Sequence, residues 1–90
     1  MADTLTKKKT KEELDKLYKS TLILWNDDFN TFDFVIECLM KYCKHTIEQA
    51  EQCSLIVHYK GKCDVKSGSE KELLPIKNIL IDCGLSVTIE

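Results

Sequence analysis

The sequence contains no arginine; all 13 of its basic residues are lysines. Without a guanidinium fork there is no bidentate grip on phosphates or base edges. The formal net charge of −2 adds no electrostatic pull toward a polyanion or an acidic membrane surface. Nucleic acid and membrane are therefore not expected partners. No apolar run approaches the ~20 residues needed to cross a bilayer, and no apolar h-region follows the first Met, so the expected location is cytoplasmic. The five cysteines (Cys38, Cys43, Cys53, Cys63 and Cys83) are odd in number and form no CxxC pair. Most fall at core-periodic positions, where a free thiol behaves as a small hydrophobe, a usage that fits a reducing compartment. Zinc on Cys43, His45 and Cys53 is conceivable, but that spacing matches no zinc signature. No metal or cofactor is expected.

What is present suits one small domain. Ninety residues bury only a little over ~60% of their unfolded surface, and the apolar and charged fractions are those of an ordinary globular chain. Residues 1–20 are lysine-rich and poor in apolar side chains, and read as a flexible N-terminal extension with a short helical stretch near Glu12 to Leu17. The folded part is expected at residues 21–90. Thr21 to Trp25 is a short apolar run, a covered strand. After a loop in which Asn30 or Thr31 can act as N-cap, Phe32, Val35, Ile36, Leu39, Met40 and Cys43 mark one helix face. Thr46 with Gln49 is a capping box for a second helix, with Ala50, Cys53, Leu55, Ile56 and Val57 on or beside its apolar face and Gly61 at its end.

Lys62 to Lys66 alternates as a half-buried strand, Ser67-Gly68-Ser69 reads as a turn, and Ser69 with Glu72 offers another capping box. Pro75 conflicts with an unbroken helix and predicts a kink or a fresh start there. Leu80, Ile81 and Cys83 continue a buried face, Gly84 suits a helix C-terminus, and Leu85, Val87 and Ile89 alternate in a closing strand. The order β-α-α-β-α-β predicts an α+β domain with three helices packed on a three-stranded antiparallel sheet.

Between the first strand and the first helix stand Asn26, Asp27 and Asp28. Adjacent carboxylates repel, so the arrangement calls for a cation, a helix terminus or both. The alternating acids and later Glu of a calcium loop are missing. Asp27, Asp28 and His58 could serve as acid and base, with Cys53 or Cys63 as nucleophile, yet no nucleophile elbow, P-loop or metal motif accompanies them. An enzyme is not expected.

The run "NDDFNTFDFVIECL", followed by "QAEQCSLIVHYKGKCDV", resembles the ClpS adaptor family of the bacterial N-end rule pathway. The shared marks are the Asn26-Asp27-Asp28 loop and Val57-His58-Tyr59-Lys60-Gly61, and the resemblance covers roughly residues 21–90. It implies an adaptor that binds the free α-amine of proteins beginning with Phe, Leu, Tyr or Trp and passes them to a Clp AAA+ unfoldase of the ClpA or ClpC type. By similarity Asn26, Asp28 and His58 would bind the ammonium, with Asp27 supporting the loop. The side-chain pocket would involve Asn30, Phe32, Val35, Ser54, Val57 and Leu85. Phe32 and Ser54 stand where the family usually has Met, and the stretch after Gly61 is shorter than in familiar members. The alternative is a protein-protein docking domain like that of the ribosomal stalk protein, which predicts no ammonium site.

Overall fold

The computed structural model describes residues 10, 13 and 19–90. Glu13 is helical and donates its N–H to Thr10 Oγ1 at 3.1 Å; the rest of the expected short helix and most of the expected extension lie outside the described residues. The element order is β1 (Ser20–Trp25), α1 (Phe32–Tyr42), α2 (Ile47–Lys60), β2 (Lys62–Gly68), α3 (Glu70–Asp82) and β3 (Ser86–Ile89). The three strands form one antiparallel sheet in the order β2-β1-β3, the expected fold.

β1 is central because its Thr, Leu, Ile and Trp side chains favour a pleated, covered strand. Leu22 and Leu24 point into a core closed by Leu39 of α1, Ala50 and Val57 of α2, Leu73 and Leu80 of α3 and Val87 of β3. A register shift in the β1–β2 ladder pairs Leu22 with Lys66 but Ile23 with Asp64, leaving Val65 as the extra residue of a bulge. His45 Nε2 lies 2.6 Å from the Val65 carbonyl. A carbonyl only accepts, so that nitrogen carries the proton, and His45 pins the α1–α2 turn to the bulge.

Local chemistry sets the helix ends. Thr31, not Asn30, caps α1, its hydroxyl accepting the Phe34 N–H at 3.1 Å. The Thr46–Gln49 box is complete: Gln49 N–H donates to Thr46 Oγ1 at 3.2 Å and Thr46 N–H to Gln49 Oε1 at 2.9 Å. Gly61 and Gly84 both take φ +93°, a left-handed turn that favours glycine. Ser69 caps α3 by accepting the Glu72 N–H at 3.1 Å.

Several expectations need correction. Ser67 and Gly68 are not turn residues; they extend β2 because Ser20 and Thr21 supply them with ladder partners. No new helix starts at Pro75, which lies inside α3 at an exposed position; the helix is begun upstream by the Ser69 cap. Met40, Leu55 and Ile81 are exposed rather than core, while Cys38 is buried. The five thiols are free. Burial pushes Cys38 and Cys43 up to about 11. Burial, with the Cys63 thiol 3.2 Å away, pushes Cys53 up to about 12. No group of three or more His, Cys, Asp or Glu among the described residues could hold a metal ion.

Candidate peptide-binding cavity

At its C-terminal end β1 runs into the Asn26–Thr31 loop, and this loop is held by its own side chains. Asp27 Oδ1 accepts the backbone N–H groups of Phe29 (2.9 Å) and Asn30 (2.8 Å), while Oδ2 accepts from Asn30 Nδ2 at 2.8 Å. Asn30 Nδ2 also donates to the Gly84 carbonyl at 2.9 Å, 54 residues away. The Asn26 N–H donates to the Gly61 carbonyl at 2.9 Å. The loop is thus fastened to the C-terminal end of α2 and to the turn before β3.

Burial alone would raise the Asp27 carboxyl. The bonds from the Asn30 backbone, the Asn30 side chain and the Phe29 backbone outweigh it and hold the group below the usual carboxylate value. Asp27 is therefore committed to the loop. No hydrogen bond among the described residues engages the side chains of Asn26 or Asp28, and both are exposed.

A cavity of about 350 Å³ opens beside this loop. Asn26, Asp27, Asp28, Asn30 and His58 supply its polar lining, and Leu24, Trp25, Phe32, Val35 and Val57 its apolar wall, with Ser54 between them. Three elements converge to make it: the end of β1 with its loop, the first turn of α1, and the second half of α2. The helical spacing of Ser54, Val57 and His58 puts all three on one side of α2. Phe32 is 41% exposed, a rim residue and not a core one. Such a lining offers acceptors at one side and apolar surface at the other, which suits a ligand carrying a cationic donor next to an apolar group.

Nine of the ten residues expected at the site line this one cavity. Leu85 does not: it is buried in the core. Leu24 and Trp25 line the cavity without having been expected there. The available signal was their position as the last two residues of the strand that feeds the Asn-Asp-Asp loop. Trp25 is fixed on its other side, its Nε1–H donating to Thr88 Oγ1 at 2.8 Å and Lys62 Nζ lying 5.2 Å from its ring centroid.

Residues 14–86 match the family described as "ATP-dependent Clp protease adaptor protein ClpS". The chain belongs to the ClpS family. It is similar to the ATP-dependent Clp protease adapter protein ClpS of Pectobacterium carotovorum, 40% identical over 73 residues, which are 79% of this chain and 69% of the relative. The ClpS proteins of Erwinia tasmaniensis and Escherichia coli are 43% and 38% identical over 60 residues, 67% of this chain. This chain spans only 57% of the length of those two relatives. Its fold is also that of Agrobacterium tumefaciens ClpS2, solved bound to L-phenylalaninamide. That match has 18% identity and a TM-score of 0.68, covering 80% of this chain and 94% of the other. No helix among the described residues is long and apolar enough to cross a membrane.

Proposed function

We propose that this ClpS-family protein is an N-recognin. Its cavity takes the first residue of a protein beginning with Phe, Leu, Tyr or Trp, its polar rim holds the free α-amine, and the bound protein is passed to a Clp AAA+ unfoldase of the ClpA or ClpC type in the cytoplasm. One observation carries the reading: Asn26, Asp28 and His58 meet at an apolar cavity whose loop is already held by Asp27. An ammonium has three donors, and a carboxylate, an amide oxygen and a neutral imidazole nitrogen are three acceptors. Agrobacterium ClpS2, which shares this fold, was solved bound to L-phenylalaninamide, a molecule with that pairing of free amine and benzyl group. Phe32 at the rim faces the first Cβ of such a ligand, where a second branch would clash, so Ile and Val are disfavoured. The extension, residues 1–20, would serve delivery and not peptide binding.

Burying an aromatic side chain is worth ~1.5–3 kcal/mol and each charge-assisted bond about the same. Set against the entropic loss of association, this supports low-micromolar binding, near ~8 kcal/mol. The test is a calorimetric titration with peptides beginning with Phe, Leu, Tyr, Trp, Ile, Arg or Met, and with an N-acetylated Phe peptide. Acetylation should weaken binding at least tenfold by removing the charge and two donors. Equal affinity for the acetylated peptide overturns the reading.

A further inference from the structure

Cys53 on α2 and Cys63 on β2 are ten residues apart in sequence, and their sulfurs stand 3.2 Å from each other. Gly61 makes this possible, because its left-handed turn ends α2 and brings the first residues of β2 back against the helix. The Asp64 carbonyl lies 3.4 Å from Cys63 Sγ and 3.7 Å from Cys53 Sγ. A carbonyl only accepts, so it favours the thiol form of both. Neither side chain is sealed in: both residues are half-buried, and Cys53 lines a hollow of about 540 Å³ with His45, Gln52 and Asp64. Cys38 and Cys43, by contrast, are only 4% and 3% exposed. A disulfide holds its sulfurs ~2.05 Å apart, so this pair must close by about 1 Å, within reach of small side-chain rotations.

We propose that Cys53 and Cys63 form one reversible oxidation site, a disulfide closed by exchange with a low-molecular-weight disulfide and opened again by thiols. One cysteine sulfur attacks the small disulfide as its thiolate; that S–S bond breaks, a mixed disulfide forms, and one small thiolate leaves and takes up a proton. The second cysteine, its proton lost to water, attacks the first cysteine's sulfur and expels the other small thiolate. Two protein thiols are oxidised to one disulfide, and one small disulfide is reduced to two thiols. In either order Cys53 attacks once, and burial holds its thiol up at about 12. Closure is therefore slow, and the site follows a sustained change in redox poise and not a brief one. A reducing compartment leaves the pair open. The closed ring encloses Val57 and His58 of the cavity wall and Gly61, whose carbonyl accepts the Asn26 N–H. By restricting the unfolded chain there, it steadies one wall of the cavity, whatever the cavity binds.

The experiment equilibrates the full chain with hydroxyethyl disulfide and mercaptoethanol, an uncharged pair that Glu48 and Asp64 at the hollow do not repel. Remaining thiols are then alkylated, and the chain is weighed and mapped with trypsin. It should be lighter by two hydrogens, with three of its five thiols still open to alkylation. Trypsin cuts after Lys44, Lys60, Lys62 and Lys66, so the Cys53 and Cys63 peptides should stay joined by the disulfide alone. The oxidised chain should melt roughly 5–10 °C higher than the reduced one, and dithiothreitol should remove the rise. Cys63→Ser should show no rise with the same oxidant. A link between any other cysteines, or between two copies, overturns the proposal. So does mercaptoethanol retained on Cys53 or Cys63 without ring closure, or an oxidised chain that melts no higher. The linkage map is read on the full chain, so it decides even where Cys63→Ser folds poorly.

Discussion

Two neighbouring aspartates in one loop do different work. Asp27 accepts three hydrogen bonds from Phe29 and Asn30, whereas Asp28 stays exposed at the cavity. The hydrogen bonds outweigh burial and lower the Asp27 carboxyl. Its folded value therefore lies below its unfolded one, ~3.9. The stability it contributes is present above the unfolded value and is lost as pH falls through the folded one. The amide resonances of Phe29 and Asn30 should accordingly titrate with a midpoint below the ordinary aspartate range, and Asp27→Ala should abolish that titration. NMR spectra recorded down a pH series measure this, and a midpoint at or above the ordinary value rejects the loop assignment. Asp27→Ala should also destabilise the domain by about 1 kcal/mol, the low end for a hydrogen-bonded charge because solvent reaches the loop.

At the scale of elements, the helix ends were legible wherever one side chain decides them. The Thr46–Gln49 box, Gly61 and Gly84 stand where the sequence puts them. Ser67 and Gly68 were not legible, because their conformation depends on partners in β1 more than forty positions earlier. At Pro75 the fresh start did not occur, because α3 was already begun by its Ser69 cap six positions earlier. The residues around the cavity were legible through the family resemblance, whose marks lie in two short runs of the sequence. Leu85 alone failed to reach the cavity, and Leu24 and Trp25 were hidden in a strand whose side chains all read as core.

Gly61 gives this scale its prediction. An added Cβ would meet nothing within 4 Å, so Gly61→Ala tests backbone conformation alone. The left-handed φ should make it ~1–2 kcal/mol less stable in urea denaturation, and Gly61→Asn should recover part of that loss. A Gly61→Ala variant as stable as the parent would show that the turn has relaxed. For the whole molecule, the cavity forms where topology brings distant runs together, and the central position of β1 is what joins them. β3 pairs only with β1, and its leading turn is tied to the loop through Asn30 and Gly84. That tie makes the far end of the chain a reporter of occupancy. Opening of an outer strand is a partial unfolding that hydrogen exchange detects. A Phe-initiated peptide at a hundred times its Kd should stabilise the domain by ~2.7 kcal/mol. The backbone amides of Ser86 to Ile89, which touch no ligand, should then exchange more slowly. Asn30→Ala should reduce that slowing, leaving the part carried by the β1–β3 ladder and the Trp25–Thr88 bond.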